Sequence, residues 1–130
     1  MAAHDPFPRL LGIEFVSGGL GFATVRLRIR KEHLNFNGTC HGGAIFTLAD
    51  TAFGLAANAY GPLAAGIDTH ITYQLAVMEG EVVTATATEM SRSKRLGVYR
   101  IDVRREDGAL TSVFTGTVYI SSRPTERPVA

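Results

Sequence analysis

The chain has 130 residues, a formal net charge of +1 and 45% apolar residues, enough for one domain with a sizeable core and too many for a disordered chain. A near-zero charge with basic residues spread along strand-like segments argues against nucleic acid. The one cysteine, Cys40, cannot close an internal disulfide and fits a reducing compartment. Residues 1–9 lack the basic-then-apolar pattern of a secretory leader. The longest apolar-rich stretch, 42–60, is broken by Asp50, Asn58, two threonines and three glycines, so no membrane span and a soluble cytoplasmic protein are expected.

In chain order, residues 11–17 read as a short strand with Ile13 and Phe15 on one face, and Gly18, Gly19 and Gly21 mark a turn. Residues 22–30 alternate: Val25, Leu27 and Ile29 point one way, and Thr24, Arg26, Arg28 and Arg30 the other. That predicts a strand with one wet face. Residues 31–40 read as a loop. From Gly42 to about Ala59 the spacing of Ile45, Leu48, Ala49, Ala52, Phe53 and Ala56 predicts a helix, stopped by Gly61-Pro62. Its other face carries Thr47, Thr51, Gly54 and Asn58 rather than charge, so it should be buried on most sides.

Strands are expected again over 66–77, where Ile67, Thr69, Ile71 and Tyr73 share a face, and over 81–90, 96–105 and 110–121. Asp107-Gly108 is a hairpin signal. Two strands, one long helix and four strands make an α+β domain, with one antiparallel sheet wrapped around one helix. It should occupy residues 1–130, with loose ends over 1–9 and 123–130. One such chain encloses its helix only partly, which favours self-association.

Chemistry concentrates in residues 33–43 and in Asp50, which is the only acidic or basic residue between His41 and Tyr60. A carboxylate among Phe46, Phe53 and Ala57 must be paired, act as a cap, or have a raised pKa; the last suits a general base or nucleophile. Gly42-Gly43 stands where the helix begins. Unpaired N–H groups and the positive end of the macrodipole meet there, and glycine lets a ligand oxygen approach; the pair could equally make only a tight turn. Asn35 can position water or donate to a carbonyl, or simply shape the loop. His41 can bind a thioester oxygen or fix the loop. A metal held with His33 lacks further ligands at a recognisable spacing, so no metal is expected.

Gly42 and Asp50 are eight residues apart, about 12 Å along a helix. An attacking group and an oxyanion donor must both lie within about 3 Å of one reacting centre. Two antiparallel helices from a symmetric pair satisfy that where one straight helix does not, so a shared site implies a dimer with two sites.

The run Asn35 through His41-Gly42-Gly43, then Ala44 to Phe53 with Asp50, resembles the signature of hotdog-fold thioesterases of the phenylacetic-acid-degradation (PaaI) type. Residues 68–73 and 80–88 are similar to the strands that follow the helix there, and the likeness spans about 10–121. The resemblance implies a hotdog fold, homodimers often pairing into tetramers, and hydrolysis of acyl- or aryl-CoA thioesters. Coenzyme A is then part of the substrate, and no separate cofactor is implied.

By position, the resemblance makes Asp50 the catalytic carboxylate and Gly42 the residue whose backbone N–H polarises the thioester carbonyl. Asn35 positions water or the carboxylate across the interface, and His41 shapes the carbonyl site. Candidate substrate contacts are Phe46, Thr51 and Phe53 on the helix and Asp68, Thr69, His70 and Tyr73 on the next strand. Arg92, Lys94 and Arg95 are the candidate contacts for the coenzyme A phosphates. Two other functions stay open: a hotdog enoyl-thioester hydratase or dehydratase using His41 and Asp50, and a non-catalytic acyl-CoA-binding protein.

Overall fold

In a computed structural model, residues 5–124 are described. Six strands form one antiparallel sheet in the order β1-β2-β4-β5-β6-β3. The strands are β1 (Glu14–Gly19), β2 (Phe22–Arg28), β3 (Pro62–Tyr73), β4 (Val82–Arg92), β5 (Leu96–Arg105) and β6 (Leu110–Pro124). A short helix, α1 (Pro6–Leu11), precedes β1, and the long helix α2 (Gly42–Asn58) lies across the sheet. This is the hotdog fold, an α+β arrangement with the sheet wrapped around α2. None of the described helices is long and apolar enough to cross a membrane.

The alternation in β2, β4 and β5 becomes one apolar layer. Val25, Leu27, Val83, Ala85, Tyr99, Ile101 and Val103 are buried, while Arg26, Arg28, Arg100 and Arg104 face outward. Against that layer α2 buries every residue of its predicted stripe, from Ile45 to Ala56. Four of its buried residues besides Ala44 are alanines, which lets the helix axis approach the sheet closely. Phe53 fills the remaining space, its ring 5.5 Å from Phe114 and 5.8 Å from Tyr99. Room for that ring comes from the sheet: a Cβ on Gly116 would stand 2.7 Å from it, and one on Gly66 3.1 Å.

The helix ends where Asn58 turns its carboxamide onto β3. Its Nδ2 donates to the Gly54 and Ala64 carbonyls at 2.9 and 3.1 Å, and its Oδ1 accepts from the Ala64 N–H at 2.9 Å. This clamp starts β3 at Pro62, four residues earlier than its sequence pattern predicts. β1 begins at Glu14 rather than at 11, because Leu11 closes α1 and Gly12 caps it with φ +88°. Of the ends expected to be loose, 1–4 and 125–130 lie outside the described residues. Between them, Pro6–Leu11 is helical and β6 runs to Pro124.

Candidate active site

The start of α2 leaves one backbone donor open. His41 is the N-cap, and its Nδ1 accepts the Gly43 N–H at 2.8 Å, so the ring proton sits on Nε2. The Ala44 and Ile45 N–H groups turn back to the His41 carbonyl at 3.0 and 3.4 Å. Among the described residues, the Gly42 N–H has no acceptor. Tyr73 fixes this position: its hydroxyl donates to the Gly42 carbonyl at 3.0 Å, and its ring would meet a Cβ on Gly42 at 3.2 Å. Burial raises the Tyr73 phenol, which keeps it a donor.

Before the helix, Asn35 ties a tight loop together. Its Oδ1 accepts from the N–H groups of Asn37 and Thr39 at 2.9 and 3.2 Å, and its Nδ2 donates to Thr39 Oγ1 at 3.0 Å. Both lone pairs and one amide hydrogen are used, so Asn35 has a donor left and no acceptor. Asn35, Gly42 and Tyr73 line one cavity of about 330 Å³. The buried His33 is structural: its Nδ1 accepts from the Arg30 N–H and its Nε2 donates to the Leu11 carbonyl, both at 2.8 Å. Burial pushes the Cys40 thiol up to about 11, which makes it a poor nucleophile. Among the described residues no three His, Cys, Asp or Glu side chains gather into a metal-binding group.

Asp50 stands on the side of α2 turned away from the sheet. It is exposed in the single chain, as is Gly43, whereas the other residues of α2 are buried or half-buried, as expected of a helix buried on most sides. That face waits for a cover the chain only partly supplies through α1. Asp50 lines a cavity of about 390 Å³ with Asp5, Phe7, Thr51 and Gly54. Its carboxyl lies above the ordinary carboxylate range, first because neighbouring protein removes water and second because the Asp5 charge is nearby. His41 lines a separate cavity of about 600 Å³ with Phe46 and Tyr73, and Phe7 borders both this cavity and that of Asp50.

Asp5 and Phe7 are absent from the candidates predicted by sequence. The signal for their helix is present: Asp5-Pro6 at the start and Gly12 at the end follow the start-and-stop rules of a short helix.

The remaining candidates divide. Thr51 lines the Asp50 cavity, with its hydroxyl donating to the Thr47 carbonyl at 2.6 Å. Phe46 is half-buried, 5.3 Å from Phe114. Phe53, at 2% exposure, packs in the core and also lines the Asp50 cavity. A bulge at Ile67 shifts the alternation of β3. Gly66 and Val118 face the helix, as do Thr69 and its partner Gly116. Asp68 and His70 therefore point to the opposite face of the sheet, away from α2 of their own chain.

Arg92 is engaged within the chain. Its guanidinium lies 3.8 Å above the Tyr60 ring and donates to the Ala57 carbonyl at 3.4 Å and the Tyr99 hydroxyl at 3.2 Å. It closes the C-terminal end of α2, while Lys94 and Arg95 are exposed at the β4–β5 turn.

The Thioesterase superfamily profile matches residues 37–112. A putative esterase of Archaeoglobus fulgidus is 40% identical over 92% of this chain and 77% of its own length. The acyl-coenzyme A thioesterase PaaI of Escherichia coli is 34% identical over 89% of this chain and 83% of its own. The solved structure of the E. coli PaaI protein from the phenylacetic acid degradation operon superposes with a TM-score of 0.91 at 32% identity. That match covers 94% of this chain and 88% of the other.

Proposed function

The chain belongs to the thioesterase superfamily and is a thioester hydrolase, and from that premise we propose that it cleaves an aryl- or medium-chain acyl-coenzyme A to the free acid and coenzyme A. The observation that carries this reading is the Gly42 N–H, unpaired among the described residues at the positive end of α2 while the next N–H is taken by His41. A thioester carbonyl placed there gains negative charge on attack, and the open donor and the helix dipole stabilise it. The remaining Asn35 amide hydrogen and His41 Nε2–H are further donors to the same end.

Asp50 supplies the base or the nucleophile. Its raised pKa makes the carboxylate a stronger base than one in water. Gly42 and Asp50 sit eight residues apart on one helix, about 12 Å, and they line different cavities. The site is therefore read as shared: Asp50 of one protomer faces Asn35, His41 and Gly42 of its partner.

Strand β3 offers the means. It pairs with β6 on one side only, and Ile67 and Tyr73 on it are more than half exposed. An open twelve-residue edge is a template for a second strand. Pairing two β3 edges joins two sheets and sets two α2 helices side by side. Lys94 is the candidate cation to meet the coenzyme A phosphates, together with Arg95, whose Nη1 also donates to the Ile120 carbonyl at 3.2 Å, and the protein is assigned to the cytoplasm.

The test is release of free thiol by the purified protein from short, medium, long and aromatic acyl-CoAs, run beside hydration of an enoyl-CoA. Thiol release with a preference for aromatic or medium-chain substrates is the expected result. Hydration without thiol release would replace hydrolysis by a hydratase, and binding without either reaction would make the chain a carrier or sensor.

A further inference from the structure

Most glycines near the site have a steric reason to be glycine. Gly42 makes room for Tyr73, Gly43 for His41, and Gly66 and Gly116 for Phe53. Gly54 has none. It lies inside α2, its φ is not positive, and a Cβ built there meets nothing within 4 Å, α1 included. A glycine inside a helix costs stability relative to alanine, so the fold of the single chain gives no reason for it.

Its position supplies one. Gly54 is one turn past Asp50, on the same face, and both line the same cavity. Helical side chains lean toward the N-terminus and cover the turn before them. A side chain at 54 would therefore project into the open space beside Asp50, its Cβ still more than 4 Å from the nearest group. The cavity continues past it to Leu55, Val118 and Phe7 and has about 390 Å³, within the usual range of small-molecule sites, roughly 300–1,000 Å³. None of its described lining residues is basic, while Asp5 and Asp50 both contribute carboxylates.

We propose that Gly54 determines acyl specificity: by having no side chain it keeps open the space beside Asp50 that receives a bulky, uncharged acyl group. This rests on the thioesterase reading. A branched or aromatic group next to the reacting carbonyl needs that space, whereas an acetyl group does not. An acyl group ending in a carboxylate meets two like charges and no cation.

The test compares the wild type with Gly54→Ala and Gly54→Val on acetyl-CoA and benzoyl-CoA. Gly54→Ala raises the melting temperature, since the helix gains a better residue. It also lowers kcat/KM for benzoyl-CoA roughly tenfold relative to acetyl-CoA, the scale of one methyl group in a tight pocket. Gly54→Val lowers it further. In an Asp50→Asn background, where turnover is slowed enough to measure binding, the affinity for benzoyl-CoA falls by a similar factor and that for acetyl-CoA does not.

Equal loss on both substrates overturns the inference. So does a change from dimer to monomer in sedimentation, which would make Gly54 a contact between helices of two chains. If the wild type hydrolyses no acyl-CoA yet the binding preference responds to Gly54→Val, the thioesterase reading fails and the pocket assignment stands. If hydrolysis proceeds and the preference does not respond, only the pocket assignment fails.

Discussion

Asp50 and Asp5 line one cavity, and the Asp5 charge makes ionising Asp50 harder. A general base works only when deprotonated, so kcat/KM should rise with pH through the Asp50 pKa. Asp5→Asn removes one of the two causes of the upward shift. The acid limb of the pH–kcat/KM profile should then move to lower pH; an unmoved limb would remove Asp5 from the site. Asp50→Asn should reduce thiol release by a factor on the order of 10²–10⁴ without unfolding the chain. The sign of its effect on stability follows from proton binding. The folded state holds its Asp50 proton to higher pH than the unfolded chain does, so stability falls as pH rises from the unfolded value through the folded one. Above that window the wild type bears the full penalty and Asn does not. Thermal melts of Asp50→Asn should show a gain at neutral pH that shrinks in acid, the reverse of what a carboxylate held by a salt bridge would give.

At the scale of the element, α2 is held at both ends by side chains from elsewhere in the chain. Tyr73 pins its first carbonyl, and Arg92 closes its last turn through Ala57, Tyr60 and Tyr99. Arg92→Ala should lower the free energy of unfolding by about 2 kcal/mol, the scale of a half-buried charged hydrogen bond with a cation–π contact. It should leave KM for a short acyl-CoA nearly unchanged. Lys94→Ala should do the opposite: little change in denaturant unfolding, and a several-fold higher KM that salt erases. The apolar spacing of α2 made this helix legible in the sequence, because burial at a period of 3.6 leaves a strong pattern over seventeen residues. The same holds for the two-residue alternation of β2 and β5. The bulge at Ile67 left no such trace. One extra residue leaves Ile67 unpaired, so it drops out of the face it was expected to share with Thr69, Ile71 and Tyr73. Helix α1 was hidden for a different reason: six residues with two prolines are too short to show a period. Asp5 and Phe7 went unseen with it. Asp50, Gly42, Asn35 and His41 could be singled out because their residue types are costly or unusual where they stand, which is a local property. The proposed arrangement around two chains would not be a local property.

At the scale of the molecule, the sheet has two edges with unequal cover. β1 ends one side with six residues, whereas β3 presents twelve on the other. A long open edge beside a helix face that is only half covered is the asymmetry expected of half an assembly. If the halves meet there, each site draws Asp50 from one protomer and Gly42, His41 and Asn35 from the other, and the two sites are equivalent. That arrangement has a consequence no single-chain site shares. Asp50→Asn alone and Asn35→Ala alone each damage both sites of their own homodimer. When the two variants are unfolded together and refolded as a mixture, half the dimers are mixed, and in each mixed dimer one site carries both substitutions and the other carries neither. Thiol release should then recover to about a quarter of the wild-type rate, if the variants assort at random. A site confined to one chain has no intact copy in any dimer of that mixture, so recovery stays near the average of the two separate variants. The recovered rate therefore counts how many chains build one active site.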